Sequence, residues 1–361
     1  MTNYLLAGGG TAGHVNPLLA LADAITAAEP DAKVWALGTA EGLEARLVPE
    51  RGYQLLTVPR LPFPRRLNAQ ALRFPARYAA SVKAVMGYLR NHSIDVVVGF
   101  GGYASAPAYT AARRLGIPVV IHEANALPGM ANKMAAARAQ AVGVAFRNTK
   151  LPKAQFVGMP LRAEIESLAK GISVADRVAA RAYFGLDEAT PTLLVTGGSL
   201  GAKRLNDTIE AARPALRNAG VQVLHIVGDR SDFEAESTAD FVRIKYCDRM
   251  DLALAAADFA VCRAGSATVS ELTAIGLPGV YVPYPVGNGE QKYNVADVVA
   301  AGGGLMCLDA DFTPEWVNAN LIPLVSDTRT RSNIATAAKS VGVADGASRL
   351  LALVNSVLEP R

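Results

Sequence analysis

The chain opens with Tyr4-Leu-Leu-Ala-Gly-Gly-Gly-Thr-Ala-Gly-His-Val-Asn-Pro17, and this stretch decides the fold. Tyr4 to Ala7 are apolar and predict a short buried strand, which runs into the glycine-rich residues 8–13. From Pro17 onward the apolar residues recur with the spacing of a helix. A helix N-terminus behind a glycine turn offers unpaired N–H groups to an anion. The stretch therefore predicts a phosphate-binding edge of an α/β domain, with His14 placed at that edge.

The same pattern returns in the second half of the chain. Thr192-Leu-Leu-Val-Thr-Gly-Gly-Ser-Leu-Gly-Ala-Lys203 is again an apolar run, a glycine turn and the start of a helix. Residues 95–123 and 258–284 also share one order: aspartate, apolar strand, glycine turn, helix, Gly-apolar-Pro and a second apolar strand. Two half-chains with one order predict two Rossmann-like domains with parallel sheets that face each other across a cleft.

We place the domain boundaries where the composition changes. The first domain is expected to comprise residues 1–162 and the second residues 163–344, with the polar stretch 163–190 as an irregular join. The last helix, within residues 345–361, is expected to pack back on the first domain. At 361 residues with 51% hydrophobic and 19% charged side chains, the chain is long enough for two folded cores.

Several classes of protein are disfavoured by the composition. The three cysteines, Cys247, Cys262 and Cys307, lack disulfide or metal spacing and are expected to be buried thiols in a reducing compartment. No signal peptide is expected, because a strand begins almost at the first residue. The uncharged run 96–112 is broken by glycines and a proline and is too short to span a membrane.

The positive charge is concentrated in one region. Residues 51–94 contain eight basic side chains and no acidic one, within a net charge of +4 for the whole chain. The amphipathic stretch 69–90 lies in this region, and an ordinary surface helix would explain its apolar spacing. The missing acids favour contact with an anionic membrane surface, for which we select Arg65, Arg66, Arg73, Phe74 and Arg77. We expect no nucleic-acid partner.

The glycine motifs alone leave the ligand open. Gly8, Gly10 and Gly13 match the dinucleotide pattern G-x-G-x-x-G, which is a weak signal by itself. A dinucleotide site also needs an acid at the end of the second strand, and Glu41 and Glu44 come late for that role. His14 is either a structural histidine at a helix start or a proton acceptor near neutral pH.

Polar residues of the second half carry the same two interpretations. Glu271 is either a carboxylate favoured by a helix N-terminus or an acceptor for ribose hydroxyls. Gln291 and Asn294 follow a glycine-containing segment that we interpret as a binding loop.

Taken together, seven motifs in order resemble the MurG family of peptidoglycan UDP-N-acetylglucosamine (UDP-GlcNAc) transferases, which are glycosyltransferases of family 28. They are Gly9-Gly-Thr-Ala-Gly-His14, Gly99-Phe-Gly-Gly-Tyr103, His122-Glu-Ala-Asn125, Gly158-Met-Pro-Leu-Arg162, Gly197-Gly-Ser-Leu-Gly-Ala202, Cys262-Arg-Ala-Gly-Ser-Ala-Thr-Val-Ser-Glu271 and Glu290-Gln291. The resemblance implies the two-domain GT-B fold. It also implies transfer of N-acetylglucosamine from UDP-GlcNAc, with inversion, to the C4 hydroxyl of the MurNAc unit of lipid I, which gives lipid II and UDP.

The resemblance also assigns residues. His14 is implied as the catalytic base or orienting group. The UDP-GlcNAc residues it implies are Thr11, Ala12, Gly13, Asn125, Arg162, Ser199, Cys247, Ser266, Ala267, Thr268, Glu271 and Gln291. It implies no required cofactor and no metal site, although a divalent cation can assist. The expected location is the cytoplasmic face of the cell membrane, with cell-wall and division proteins as further partners.

Three alternatives stay open at this point. Another GT-B enzyme with a lipid or natural-product acceptor would share the donor motifs. A UDP-GlcNAc 2-epimerase would share the twin domains without needing the basic surface. A non-catalytic nucleotide-sugar or NAD(H) binding protein would need only the glycine loops.

Overall fold

A computed structural model describes residues 1–64, 69–198 and 201–358 of the chain. The chain divides into two compact units. Unit 1 consists of Met1–Arg162 and Asp345–Arg361, and unit 2 of Ala163–Ala344. Arg65, Arg66 and Ser199 lie outside the described residues.

Among the described residues of unit 1, seven strands form one parallel sheet in the order β3-β2-β1-β4-β5-β6-β7. The strands are β1 (Asn3–Ala7), β2 (Lys33–Gly38), β3 (Gln54–Thr57), β4 (Val96–Gly99), β5 (Val119–Glu123), β6 (Ala141–Val144) and β7 (Ala154–Phe156). The chain order reverses between β1 and β4, so the loops after these two strands are neighbours at the carboxyl edge of the sheet. Both loops are glycine turns.

Helices cover both faces of this sheet. They are α1 (Ala12–Ala28), α2 (Glu44–Glu50), α3 (Ala69–Asn91), α4 (Ser105–Leu115), α5 (Met130–Ala135) with the 3-10 turn Ala136–Arg138, and α16 (Gly346–Leu358). Leu350 and Val354 of α16 share one core with Leu18 and Ile25 of α1. The predicted return of the last helix to the first half of the chain is confirmed.

Unit 2 repeats the architecture. Its sheet has the order β10-β11-β9-β8-β12-β13-β14 and is parallel except for the pairing of β10 with β11. The strands are β8 (Thr192–Thr196), β9 (Gln222–Ile226), β10 (Glu236–Ser237), β11 (Phe241–Ile244), β12 (Phe259–Cys262), β13 (Gly279–Tyr281) and β14 (Gly304–Met306). Here the order reverses between β8 and β12, which again puts two motif loops side by side.

The helices of unit 2 follow the same alternation. They are α6 (Ala163–Ala169), α7 (Val174–Phe184), α8 (Lys203–Asn218), α9 (Met250–Ala256), α10 (Ser266–Ile275), α11 (Glu290–Asn294), α12 (Ala296–Ala300), α13 (Pro314–Trp316), α14 (Ile322–Ser326) and α15 (Thr328–Val341), with a π-helical turn at Val317–Leu321. The core on one face includes Phe259, Phe312 and Leu321.

The structure corrects the predicted start of the first helix. Helix α1 begins at Ala12, with Thr11 in an extended conformation as its N-cap, and Pro17 lies inside the helix. Proline is favoured in the first turn of a helix because it has no backbone N–H, and inside a helix it costs one backbone hydrogen bond. Helix α1 tolerates this loss, so Pro17 does not mark the start of the helix. The turn after β1 is therefore shorter than predicted, and Ala12, Gly13 and His14 form the first turn of α1.

Two further predictions about local structure were wrong. The stretch predicted as an irregular join contains α6 and α7, and α7 starts with a capping box in which Ser173 Oγ accepts the Asp176 N–H at 3.1 Å. The Ser-x-x-Asp spacing was a readable signal for this start. Gln291 and Asn294 lie on helix α11 rather than on a loop, and Asn294 is buried.

Among the described residues, one stretch is long and apolar enough, by length and composition, to cross a membrane: Thr328–Leu358, which contains an 18-residue window with a mean hydropathy of 1.3. In the structure this stretch is two helices, α15 and α16, which belong to different units.

Candidate active site

The two glycine turns of unit 1 touch each other. A Cβ atom on Gly102 would lie 2.5 Å from the carbonyl oxygen of Gly9, and Gly102 has φ +83°. Only glycine satisfies both conditions, because a side chain would meet backbone and would also be strained at this φ. The turn after β4 is therefore fitted against the turn after β1.

His14 is held by the first of these turns. Its Nδ1 lies 3.1 Å from the carbonyl oxygen of Gly9 and 3.3 Å from Thr11 Oγ1. A carbonyl oxygen only accepts, so Nδ1 of the neutral ring carries the proton and Nε2 is left as the acceptor. Nε2 lies beside Gly101, where an added Cβ would be 3.2 Å away.

A carboxylate lies behind the same turn. Glu44, the first residue of α2, is 1% exposed, and its Oε2 accepts the N–H of Gly10 at 2.8 Å. Its Oε1 accepts the N–H and the hydroxyl of Thr39, both at 2.8 Å. Burial by itself would raise the pKa of Glu44, but the donors from Gly10 and Thr39 outweigh burial and lower the pKa below its ordinary value. Glu44 is therefore ionised at neutral pH.

His14 opens on a cavity of about 410 Å³ in unit 1. The polar end of the cavity consists of His14, Glu123, Asn125 and Asn132. The remaining wall is mostly apolar and includes Leu61, Phe63, Phe74, Tyr78, Tyr103, Pro107, Met130 and Met134. The cavity thus joins a proton acceptor to a long apolar wall.

Buried hydrogen bonds fix the polar end. Glu123 Oε1 accepts the N–H of Asn125 at 2.9 Å, and its Oε2 accepts the N–H of Gly129 at 3.0 Å and the amide of Asn132 at 2.9 Å. Asn132 in turn accepts the Tyr109 hydroxyl at 2.6 Å. Burial lowers the pKa of His122 to about 4, so this histidine is neutral at pH 7. Its Nε2 donates a hydrogen bond to the carbonyl oxygen of Gly158 at 3.0 Å. His122 and Glu123 shape the loop that carries Asn125.

The structure brings together most of the unit 1 residues that the sequence selected. Thr11, Ala12 and Gly13 adjoin His14 at the start of α1, and Asn125 lines the same cavity. Arg162 does not join them: it lines a separate cavity of about 230 Å³ beside Asn16, Glu50 and Arg51. The prediction that groups Arg162 with the other phosphate donors remains a prediction.

In unit 2 the glycine loop after β8 is supported by neutral groups. A Cβ on Gly201 would lie 2.2 Å from the carbonyl oxygen of Val227, and Gly201 has φ +80°. Asn206 of α8 donates its amide N–H to that same carbonyl at 3.0 Å, and its Oδ1 accepts from His225 Nε2 at 3.1 Å. A cavity of about 290 Å³ lies here, lined by Lys203, Asn206, Arg230 and Ser231 among others.

The loop after β12 is tied to the segment around α11. Gln291 Oε1 accepts the N–H of Ala264 at 3.2 Å and of Tyr284 at 2.8 Å, and Asn294 donates to the carbonyl of Ala264 at 3.2 Å. Arg263 pairs with Asp309 at 2.6 Å. Gln291, which the resemblance places among the UDP-GlcNAc residues, thus uses its side-chain oxygen to connect the loop after β12 with residue 284.

The remaining donor-side candidates lie at two places in unit 2. Ser266, Ala267 and Thr268 form the first turn of α10, and Glu271 lies one turn further along this helix. Cys247 lies between β11 and α9 and is half-buried. The first turn of α10 presents backbone N–H groups at the edge where β12 ends.

The region selected for membrane contact is partly described. Arg73 and Arg77 are exposed on α3, and Phe74 lies between Phe63 and Tyr78, with ring centroids 5.5 Å and 5.9 Å away. Sequence reasoning missed Phe63, Met130 and Met134, which are all more than 60% exposed at the open side of the cavity. Met130 and Met134 lie four residues apart on α5, but Phe63 is distant from both in the chain, so local spacing does not connect it to them.

In the part of the chain that the structure describes, no group of three or more His, Cys, Asp or Glu side chains is placed to hold a metal ion.

Comparisons with known proteins agree with this architecture. The model of the glycosyltransferase family 28 N-terminal domain matches residues 4–144, and that of the glycosyltransferase family 28 C-terminal domain matches residues 192–350. A UDP-N-acetylglucosamine–N-acetylmuramyl-(pentapeptide) pyrophosphoryl-undecaprenol N-acetylglucosamine transferase of Leifsonia xyli is 59% identical over 99% of both chains. The protein of that name from Streptomyces coelicolor is 47% identical, also over 99% of both chains.

Solved structures show the same similarity. The crystal structure of Acinetobacter baumannii MurG matches with a TM-score of 0.79 at 26% identity, and covers 99% of this chain and 100% of that one. A putative UDP-N-acetylglucosamine 2-epimerase from Listeria monocytogenes matches with a TM-score of 0.66 at 11% identity, over 99% of this chain and 97% of that one. The second match shows the fold alone. The prediction of a GT-B fold made of two parallel-sheet α/β domains is confirmed.

Proposed function

The chain belongs to the MurG family of UDP-GlcNAc transferases, and on that premise we propose that it makes lipid II. The reaction transfers N-acetylglucosamine from UDP-GlcNAc to the C4 hydroxyl of MurNAc in undecaprenyl-diphospho-MurNAc-pentapeptide. The oxygen of that hydroxyl forms a bond with C1 of the donor sugar from the face opposite UDP. The C1–O bond to the diphosphate breaks, and its electron pair leaves with UDP.

The observation that carries the proposal is the cavity of unit 1. It combines a histidine whose Nε2 is an acceptor with an apolar wall, and the proposed acceptor combines a reacting hydroxyl with an isoprenoid chain. His14 takes the proton of the C4 hydroxyl as the new bond forms, which general-base catalysis requires. Asn125 at the polar end is placed to hold a sugar or diphosphate group.

The donor nucleotide is assigned to the loops of unit 2. Backbone N–H groups at the start of α10 suit its diphosphate, whose charge grows as UDP leaves. In unit 1, the backbone N–H groups at the start of α1 suit an anion in the same way. Glu271 would accept the ribose hydroxyls, Gln291 would hold the sugar, and the backbone at Cys247 would meet the uracil. Ser199 and Arg162 complete the proposed set.

Protein groups alone are proposed to stabilise the leaving diphosphate, without a resident metal. N–H donors and arginines aimed at developing charge are typically worth a factor of about 10²–10³ in rate each. Activity that survives prolonged treatment with EDTA supports this part of the proposal, and activity that returns only on addition of Mg²⁺ contradicts it.

The open side of the cavity is proposed to lie against the cytoplasmic leaflet. Phe63, Met130 and Met134 are exposed apolar residues that line this cavity, and α3 adds the exposed residues Leu72, Arg73 and Arg77. Apolar side chains beside arginines match the boundary between acyl chains and anionic headgroups. Arg65 and Arg66 lie outside the described residues, and their contact with the membrane remains a prediction from the sequence.

The test of the function is incubation of the protein with UDP-GlcNAc and a lipid I analogue. A disaccharide-linked product identified by mass, together with stoichiometric UDP, is expected. Transfer to natural-product hydroxyls but not to lipid I would favour a different GT-B acceptor. Binding of NADH without binding of UDP would contradict the function altogether.

Membrane contact has its own measurement. Co-sedimentation with vesicles that contain phosphatidylglycerol is expected at low salt and should weaken in the double variant Arg73→Ala and Arg77→Ala. The pair Arg113→Ala and Arg114→Ala on α4 is the control of equal charge change. Equal sedimentation of all three proteins would contradict the assigned surface.

A further inference from the structure

Both polar groups of the peptide unit between Gly9 and Gly10 form hydrogen bonds with side chains. Its carbonyl oxygen accepts from His14 Nδ1 at 3.1 Å, and its N–H donates to Glu44 Oε2 at 2.8 Å. Carboxylate, peptide and imidazole therefore form one hydrogen-bonded chain. Hydrogen bonds in such a chain polarise each other, so a negative charge on Glu44 strengthens the carbonyl of Gly9 as an acceptor.

Glu44 occupies a slot that three glycines create. An added Cβ would come within 2.3 Å of the Glu44 carboxylate at Gly9, within 2.4 Å of its side chain at Gly38 and within 2.1 Å of its carboxylate at Gly42. Thr39 supplies two more donors to the same carboxylate. A side chain this enclosed has one position only, and this fixes the peptide that it holds.

We propose that Glu44 is a positioning residue for the transfer reaction, acting on His14 through the Gly9–Gly10 peptide. This inference rests on the proposed role of His14 as the proton acceptor. With Nδ1–H held by Gly9, Nε2 stays unprotonated and available to the C4 hydroxyl. When that proton arrives on Nε2, the imidazolium is stabilised by the carbonyl that Glu44 polarises. Glu44 touches no reacting atom and exchanges no proton.

The same contact gives the first glycine turn a different electrostatic character. One of its N–H groups is already taken by an anion, so a phosphate at Gly10 would meet a buried negative charge behind it. The turn after β1 is thus built to hold a histidine, and the sites for anions in unit 1 are the N–H groups at the start of α1.

Kinetics of Glu44→Gln test the proposal. The amide cannot accept from all three donors, so the peptide loses its charged partner. We expect kcat to fall by about 10- to 100-fold, as for other groups that orient a histidine, with KM for UDP-GlcNAc unchanged. Glu41→Gln is the control, since Glu41 is exposed, lies nearby in sequence and undergoes the same change of charge. Wild-type kcat in Glu44→Gln would overturn the proposal.

Two measurements distinguish a positioning role of Glu44 from a purely structural one: the pH profile of kcat and the tautomer of His14. Loss of the charge should move the acidic limb of kcat to lower pH, because the imidazolium is less stabilised. The other ionisable side chains that line the cavity of His14 are Tyr78, Tyr103 and Glu123, and they are unchanged in this variant. Nitrogen-15 NMR of labelled histidine should show Nδ1–H in the wild type and a larger Nε2–H fraction in Glu44→Gln. A slow variant with unchanged tautomer and pH profile would also overturn the proposal.

The NMR measurement needs no substrate, so it distinguishes failure of this proposal from failure of the proposed function. A wild-type protein that forms no product from lipid I contradicts the function but leaves the coupling of Glu44 and His14 measurable. Glu44→Asp keeps the charge and is expected to fall between the wild type and Glu44→Gln in kcat. If Glu44→Gln does not fold, unchanged kcat and pH profile in Glu44→Asp would overturn the proposal.

Discussion

The two units contain the same kind of glycine turn, but the groups packed behind the turn are charged in unit 1 and neutral in unit 2. In each, a strand runs through a glycine turn into a helix, at β1 and α1 in unit 1 and at β8 and α8 in unit 2. In unit 1 the turn is backed by the buried carboxylate of Glu44. In unit 2 the turn is backed by the carbonyl of Val227 and the amide of Asn206, which are neutral.

Under the proposed function, this difference would let one motif serve two substrates. A turn with a negative charge behind it repels phosphate and suits a histidine that must become positive. A turn with neutral support, followed by Lys203 and Arg204 at the helix start, suits a diphosphate. The glycine spacing is therefore not sufficient to assign a ligand, because the charge of the side chains packed behind the turn also decides whether the turn attracts or repels an anion.

The largest expected effect comes from His14. The variant His14→Ala should lose about 10²–10⁴-fold in kcat, the usual range for a general base, while the affinity for UDP-GlcNAc changes little. His14→Asn preserves a donor toward Gly9 without a basic nitrogen, and it should be equally slow. Steady-state kinetics with isothermal titration of UDP-GlcNAc measure both quantities. Wild-type kcat in either variant would contradict the claim that the turn of unit 1 holds the general base.

The second effect comes from the glycines that brace each turn. Gly102→Ala and Gly201→Ala add a Cβ against a backbone oxygen at 2.5 Å and 2.2 Å. Strained backbone of this kind costs about 1–3 kcal/mol, and the clash adds to it. We expect Gly102→Ala to lower kcat and Gly201→Ala to weaken UDP binding, with a lower melting temperature in both.

Matched controls exist for both glycine variants. Gly52 and Gly220 have φ +85° and +68° with nothing near an added Cβ. Their alanine variants carry the strain without the clash, so they should keep kcat and UDP affinity. If the control variants lose function to the same extent, the close approach of the turns is not the cause.

The third effect is on stability at acid pH. Burial lowers the pKa of His122 in unit 1 to about 4 and of His225 in unit 2 to about 3, from 6.5 in the unfolded chain. The unfolded state therefore binds the proton first as pH falls below 6.5, and the folded state loses stability down to the folded pKa. Between pH 6.5 and pH 5, where both folded-state histidines stay neutral, each contributes roughly 2 kcal/mol to this loss.

Thermal melting between pH 7 and pH 5 checks the third prediction. His122→Gln and His225→Gln should each reduce the slope of melting temperature against pH, whatever they do to stability at pH 7. Parallel slopes in the wild type and both variants would show that other groups govern the acid response.

The smallest effect is expected at Lys203. This side chain is exposed and pairs with Asp207 at 3.0 Å, so Lys203→Ala should change stability by less than about 0.5 kcal/mol. A cation at the turn of unit 2 should still favour UDP by roughly 0.3–1 kcal/mol, which is about 2- to 5-fold in Kd. Titration of UDP measures this change, with the exposed Lys339→Ala as the control in the same unit. Equal Kd values for all three proteins would argue against the cationic character of this turn.

Much of the fold followed from local patterns. The apolar runs 4–7, 96–98 and 193–195 are strands, and the repeated order of strand, glycine turn and helix indicated both sheets. The helix start at Pro17 was wrong because proline tolerates more positions in a helix than its usual preference suggests. The segments α6 and α7 were missed because their polar composition concealed a capped helix.

The site was less accessible to local reasoning. His14 and Asn125, which the sequence selected, line one cavity, because each follows the carboxyl end of a strand of the same parallel sheet. Phe63, Met130 and Met134 were not selected, since only the tertiary packing brings them to one cavity: Phe63 packs on Phe74 of α3, and the two methionines lie on α5. Glu44 was considered only as a ribose acceptor and rejected for its position.

The sequence by itself determined the twin α/β fold, the glycine turns, the candidate base and the membership of the family, because all of these depend on residue types at fixed local spacing. Only the tertiary structure decided what each turn does with its N–H groups. Glu44 and Gly10 are 34 residues apart, and their contact depends on how α2 packs at the end of β2. Hydrogen bonds between such distant residues follow from the packing of whole helices and strands, so the local spacing of residue types does not predict them.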